Sequence, residues 1–68
     1  MDEESFNMSI RKLLKAFGIR SQLEIEKAVQ KALAEKRISG SESFPAQVHL
    51  RIAELDVDFK LDGDIKLQ

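Results

Sequence analysis

The apolar residues change their spacing at Gln47, and that change constrains the fold more than any other feature of the chain. Before it they recur at helical intervals, and after it they alternate. Phe6, Ile10, Leu13, Leu14 and Phe17 form one helical stripe. Ile25, Val29, Ala32 and Leu33 form a second, with Ala28 at its edge. From Gln47 onward Val48, Leu50 and Ile52 alternate with His49, Arg51 and Ala53, which is the period of a half-buried strand.

Local signals divide these stretches. A first helix is expected over about 3–17, with Asp2 or Ser5 as its N-cap and early acids suiting the positive end of its dipole. Gly18 stands where a left-handed C-terminal cap would fall, and Ile19 can close the contact after it. A second helix is expected over about 22–36. Ser21 would cap it, and Glu24 completes a capping box. So short a link implies an αα-hairpin or a helix-turn-helix-like corner. Residues 37–46 read as a loop, because Ser39-Gly40-Ser41-Glu42-Ser43 is turn-rich and Pro45 cannot continue a helix.

Three strands are expected, over about 47–53, 55–60 and 64–67. The alternation slips by one across Ala53-Glu54. A two-residue hairpin there would pair Ile52 with Leu55, Leu50 with Val57 and Val48 with Phe59. Ala-Glu suits a primed turn poorly, so a bulge in one long strand is the alternative. Asp62-Gly63 is the stronger turn signal, and sets Phe59 opposite Ile65 and Val57 opposite Leu67. The expected fold is α+β: one small domain over 1–68, a two-helix hairpin packed on a three-stranded antiparallel meander (ααβββ).

Sixty-eight residues bury only a modest core. No cysteine is present to staple it, and one histidine, His49, cannot build a His-rich metal site. Homo-oligomerisation is the remaining common source of burial. The 43% apolar and 34% charged fractions are those of a globular chain. Met1-Asp2-Glu3-Glu4 is acidic, unlike the start of a signal peptide, and no run approaches 18 apolar residues. A cytoplasmic protein is the expectation. Net charge is −1, but residues 5–40 carry eight Lys/Arg against three Glu, and residues 41–68 carry three against six acids. That asymmetry could steer a partner or align two copies, and helix and strand surfaces also produce it unaided.

Ser5-Phe6-Asn7-Met8-Ser9-Ile10-Arg11-Lys12, Ser21-Gln22, Glu24-Ile25-Glu26-Lys27-Ala28-Val29 and Asp62-Gly63 resemble a short bacterial protein family of unknown function, about 70 residues long. The resemblance implies bacterial origin and a stand-alone domain, and it transfers no activity.

Chemistry is sparse. Met8, among Arg11, Lys12 and Lys15, points away from the first stripe, and Leu23 and Lys27 lie off the second. These six residues are the candidate interaction surface, for a second copy or a protein partner. Together with Arg20, Lys31, Lys36 and Arg37, the lysines and arginines could instead contact phosphates, and a solvated helix face accounts for them equally. Asp56, Asp58, Asp62 and Asp64 would crowd the Asp62-Gly63 turn, yet they lack the EF-hand spacing. His49 has no oriented partner in the sequence, and Gly18, Gly40 and Gly63 stand too far apart for a phosphate loop. The reading is a non-enzymatic domain without cofactor that self-associates or binds a protein, with a nucleic-acid accessory module as the alternative.

Overall fold

The computed structural model describes residues 1–68 and gives an αββ order in place of ααβββ. A single helix α1 spans Glu3–Ala34, strand β1 spans Ser43–Ile52, a 3₁₀ turn covers Ala53–Leu55, and strand β2 spans Val57–Lys66. The chain divides into two compact units, Met1–Arg37 and Ile38–Gln68.

In the first unit, the expected helical hairpin is replaced by one 32-residue helix, about 48 Å long at 1.5 Å per residue. Asp2 is the N-cap. Its Oδ1 accepts from the backbone N–H of Glu4 at 3.0 Å and of Ser5 at 3.1 Å, and the Ser5 hydroxyl donates to Oδ2 at 3.0 Å. Gly18 does not end the helix, for its φ is not positive. A mid-helix glycine costs about 1 kcal/mol relative to alanine. Breaking there would forfeit several backbone hydrogen bonds across the next turn, which outweighs that cost. No proline precedes Pro45 to force a break. Ser21 and Glu24 therefore lie inside the helix and form no capping box. Arg20 pairs with Glu24 at 3.4 Å across the expected boundary instead.

The end of α1 is a Schellman motif. The Arg37 N–H donates to the Ala32 carbonyl at 2.9 Å and the Lys36 N–H to the Leu33 carbonyl at 3.0 Å. Lys36 holds the left-handed position, φ 60°, where glycine is usual.

The second unit is a loop and a hairpin. The Glu42 carboxylate closes the loop by accepting from the backbone N–H groups of Ser39, Gly40 and Ser41 at 2.7, 2.9 and 3.1 Å. Two ten-residue strands then pair antiparallel, from Ser43 opposite Lys66 to Ile52 opposite Val57. β1 begins four residues earlier than expected and contains Pro45. A proline is tolerated on an edge strand when its nitrogen faces outward.

The turns are also corrected. Ala53–Asp56 connects the strands, with Asp56 left-handed at φ 54°. Leu50 consequently faces Phe59, and Val48 faces Leu61. The pairings expected with Val57 and Phe59 are thus shifted by two residues. Asp62-Gly63 is no turn: Asp62 pairs with Gln47 and Gly63 with Ala46, mid-strand. A turn there would have left Ser43–Ala46 without ladder partners, so the longer ladder wins. The third strand is the far half of β2.

Side chains of one sheet face are Phe44, Ala46, Val48, Leu50 and Ile52 with Ile65, Gly63, Leu61, Phe59 and Val57. The other face is Ser43, Pro45, Gln47, His49 and Arg51 with Lys66, Asp64, Asp62, Lys60 and Asp58. The period-2 pattern thus sorts apolar from polar along the whole hairpin.

Candidate interaction surfaces

The helix presents apolar side chains to solvent along its length. Phe6, Ile10, Leu13, Leu14, Phe17, Ile25 and Leu33 are all exposed, and Ala32 is the one buried hydrophobic residue of the chain. These residues form the two stripes that the spacing predicts, turned roughly 100° from one another on the unbroken helix, and they are exposed.

The six candidate surface residues all lie on this helix. Met8, Arg11, Lys12 and Lys15 share one face at spacings of three, four and seven, with Met8 61% exposed. Arg11, Lys15, Ile19, Leu23 and Lys27 follow one another at intervals of four. That row rotates by roughly 40° per step, so it winds around the helix instead of forming a patch. Lys15 and Lys27 stand about 18 Å apart along the axis. The helix therefore joins the Met8 group and separates Leu23 and Lys27 from it. Ile19, 54% exposed, extends the row and was assigned instead to a helix cap by its place after Gly18. Asp2, Glu4, Ser5, Met8, Ser9 and Lys12 line a shallow open depression at the helix start.

The hairpin offers a second surface. On its apolar face Val48, Ile52, Phe59 and Leu61 are exposed, Leu61 by 63%. Phe44, Leu50, Val57 and Ile65 are half-buried. Alternation assigns Val48, Leu50, Ile52, Val57, Phe59 and Ile65 to a covered apolar face, whereas Phe44 and Leu61 fall outside the strands that it marks. On the polar face His49 Nε2 lies 2.7 Å from Asp58 Oδ1, and Gln47 Nε2 donates to Asp62 Oδ1 at 3.1 Å. The His49–Asp58 contact is an ion pair when the ring is protonated, and as an exposed one it contributes at most about 1 kcal/mol.

Of the four aspartates expected around one turn, Asp58, Asp62 and Asp64 are spread along β2 and Asp56 ends the connection before it, and no group of three or more His, Asp or Glu side chains is gathered to hold a metal. Two carboxyls are shifted. Backbone and side-chain hydrogen bonds from Ser5, with a further one from Glu4, hold Asp2 below its ordinary range. The N–H groups of Ser39 and Gly40 do the same for Glu42. Both carboxylates have structural work, capping a helix and closing a loop. No helix is long and apolar enough to cross a membrane.

No curated protein and no solved structure matches the chain. A family model does match it, over residues 1–68, and its family carries no assigned activity, so the exposed faces themselves are the guide to function. The chain belongs to the family of unknown function DUF6494.

Proposed function

We propose that this chain is a non-enzymatic domain that acts through self-association, its exposed apolar faces being covered by a second copy. The observation that carries the reading is the surface left open. Each unit leaves apolar side chains open: two helix stripes, Phe6 to Phe17 and Ile25 to Leu33, in the first, and one whole face of the hairpin in the second. Isolated two-stranded hairpins are marginal in water, and so are most lone helices. Each unit therefore gains its stability from being covered.

Light scattering on a size-exclusion column, over a hundredfold range of protein concentration and at low and high salt, tests this. A mass of twice the chain or a higher multiple, maintained or strengthened by salt, is expected of an apolar interface. A folded monomer at every concentration would refute it. A species that forms only with added nucleic acid and dissolves as salt rises would favour the phosphate-binding alternative.

A further inference from the structure

Resting on the self-association reading, we propose how the two hairpins join: edge to edge, which merges their apolar faces into one wider face and does not by itself cover it. Strand β2 pairs with β2 of a second copy, antiparallel about a two-fold axis at Asp62, into a continuous four-stranded sheet of order β1-β2-β2-β1. The backbone points to this edge. The Leu67 N–H donates to the Glu42 carbonyl at 3.0 Å, which makes Glu42/Leu67 a hydrogen-bonded pair. Pair types alternate along an antiparallel ladder. The apolar-face pairs, from Phe44/Ile65 to Ile52/Val57, are therefore the hydrogen-bonded ones. The polar-face residues turn their backbone groups outward. On β1 that outer row includes Pro45, which has no N–H to offer. On β2 the outer row is Asp58, Lys60, Asp62, Asp64 and Lys66, and every member has both N–H and C=O free for strand addition.

The charges choose the register. With the axis at Asp62, Asp58 faces Lys66 of the second copy and Lys60 faces Asp64, each twice by symmetry. Moving the axis one residue toward Leu61 sets Lys60 against Asp62 but Asp58 against Asp64, so its attractive and repulsive pairs are equal in number. Moving it toward Gly63 sets Lys60 against Lys66 and Asp62 against Asp64. Directly opposed unlike charges stabilise a strand pair and like charges destabilise it. Lys60, Asp64 and Lys66 have no ion-pair partner within the chain. The like-charge pair that remains is Asp62 with its own copy, and Gln47 already draws that carboxylate toward β1. On the apolar face the same register sets Phe59 against Ile65, Val57 against Leu67 and Leu61 against Gly63. The last pairing lays an exposed leucine beside a residue with no side chain. The outer edges are then both β1, each interrupted at Pro45, so the isologous contact closes at two copies.

A charge swap and a cross-link test the seam. Lys60→Glu and Asp64→Lys should each weaken dimerisation roughly tenfold or more, and the double variant should restore it. Within the chain these positions face His49 and Pro45, so neither substitution sets a like charge directly across the hairpin. Asp62→Asn should tighten the dimer. Asp62→Cys, in a chain with no other cysteine, should form an inter-chain disulfide on mild oxidation. Gln47→Cys, one strand away on the same face, should not. Circular dichroism of each variant checks that it folds. If the protein is dimeric by mass yet Asp62→Cys cross-links no faster than Gln47→Cys and the swap gives no rescue, the edge pairing is wrong and self-association by another face stands. A monomer throughout refutes both.

Discussion

At Gly18 and Lys36 the backbone contradicts residue preference in opposite ways. Gly18 lies in a helix interior, and an added methyl would meet nothing within 4 Å. Gly18→Ala should therefore stabilise the first unit by about 0.5–1 kcal/mol, read by chemical denaturation. A helix hairpin with a left-handed Gly18 would respond with the opposite sign, so the measurement also tests the continuous helix. Lys36 is the converse case, a side chain held in the left-handed region at φ 60°. Lys36→Gly should stabilise by about 1 kcal/mol, because glycine reaches that region without steric cost. Composition pointed to the wrong residue for the C-cap: the one glycine near a plausible helix end was Gly18, and the actual end uses a lysine.

Among the elements, the loop before β1 depends on one ionised side chain. Glu42 accepts three backbone N–H groups, so its carboxyl titrates below its ordinary 4.5 in the folded chain. A lowered carboxyl stabilises the fold above its unfolded value, and the contribution is lost as pH falls through the folded one. The protection factors of the Ser39, Gly40 and Ser41 amides, measured against the intrinsic exchange rate at each pH, should fall once pH drops below 4.5 toward that lower value. In Glu42→Gln the acid-induced step should be missing and the loop already more open at neutral pH. The hairpin shows a different competition at this scale. Asp62-Gly63 is a sound turn pair by local chemistry, but ten paired residues on each strand outweigh one favourable turn.

For the molecule as a whole, stability and association are expected to be one quantity. If a second copy covers the open faces, the melting temperature should rise with protein concentration, each tenfold step adding about 1.4 kcal/mol to the folded assembly. Leu61→Lys gives a second check. Leu61 is 63% exposed in the chain by itself, so the substitution costs an isolated hairpin little. In a dimer it removes an apolar side chain from the interface twice, about 1.5 kcal/mol or more each time. Equilibrium sedimentation should show the variant dissociating at concentrations where the native chain stays associated. An unchanged mass would place Leu61 outside the interface.

Periodicity by itself determined a great deal. The helical stripe of Phe6, Ile10, Leu13, Leu14 and Phe17 and the apolar set Val48, Leu50, Ile52, Val57, Phe59 and Ile65 hold in the structure, while the alternation starts at Ser43 instead of Gln47 and Leu55 falls in the turn. Asp2 also holds as a cap. These depend on geometry repeated over neighbouring residues, which sequence spacing reports directly. Element ends were not legible. Gly18, Ser21-Glu24 and Asp62-Gly63 each carry a real local preference of about 1 kcal/mol, and each is overruled by a ladder of hydrogen bonds that continues through it. Nor was exposure legible, because the same apolar stripe serves a core or an interface. The Met8, Arg11, Lys12 and Lys15 grouping was readable from spacing within one helix, whereas the separation of Leu23 and Lys27 from it depended on that helix running unbroken past Gly18. Tertiary structure decided the register of the hairpin and where its ladder stops, since both depend on residues far apart in the chain, whereas α1 runs past Gly18 on bonds between near neighbours.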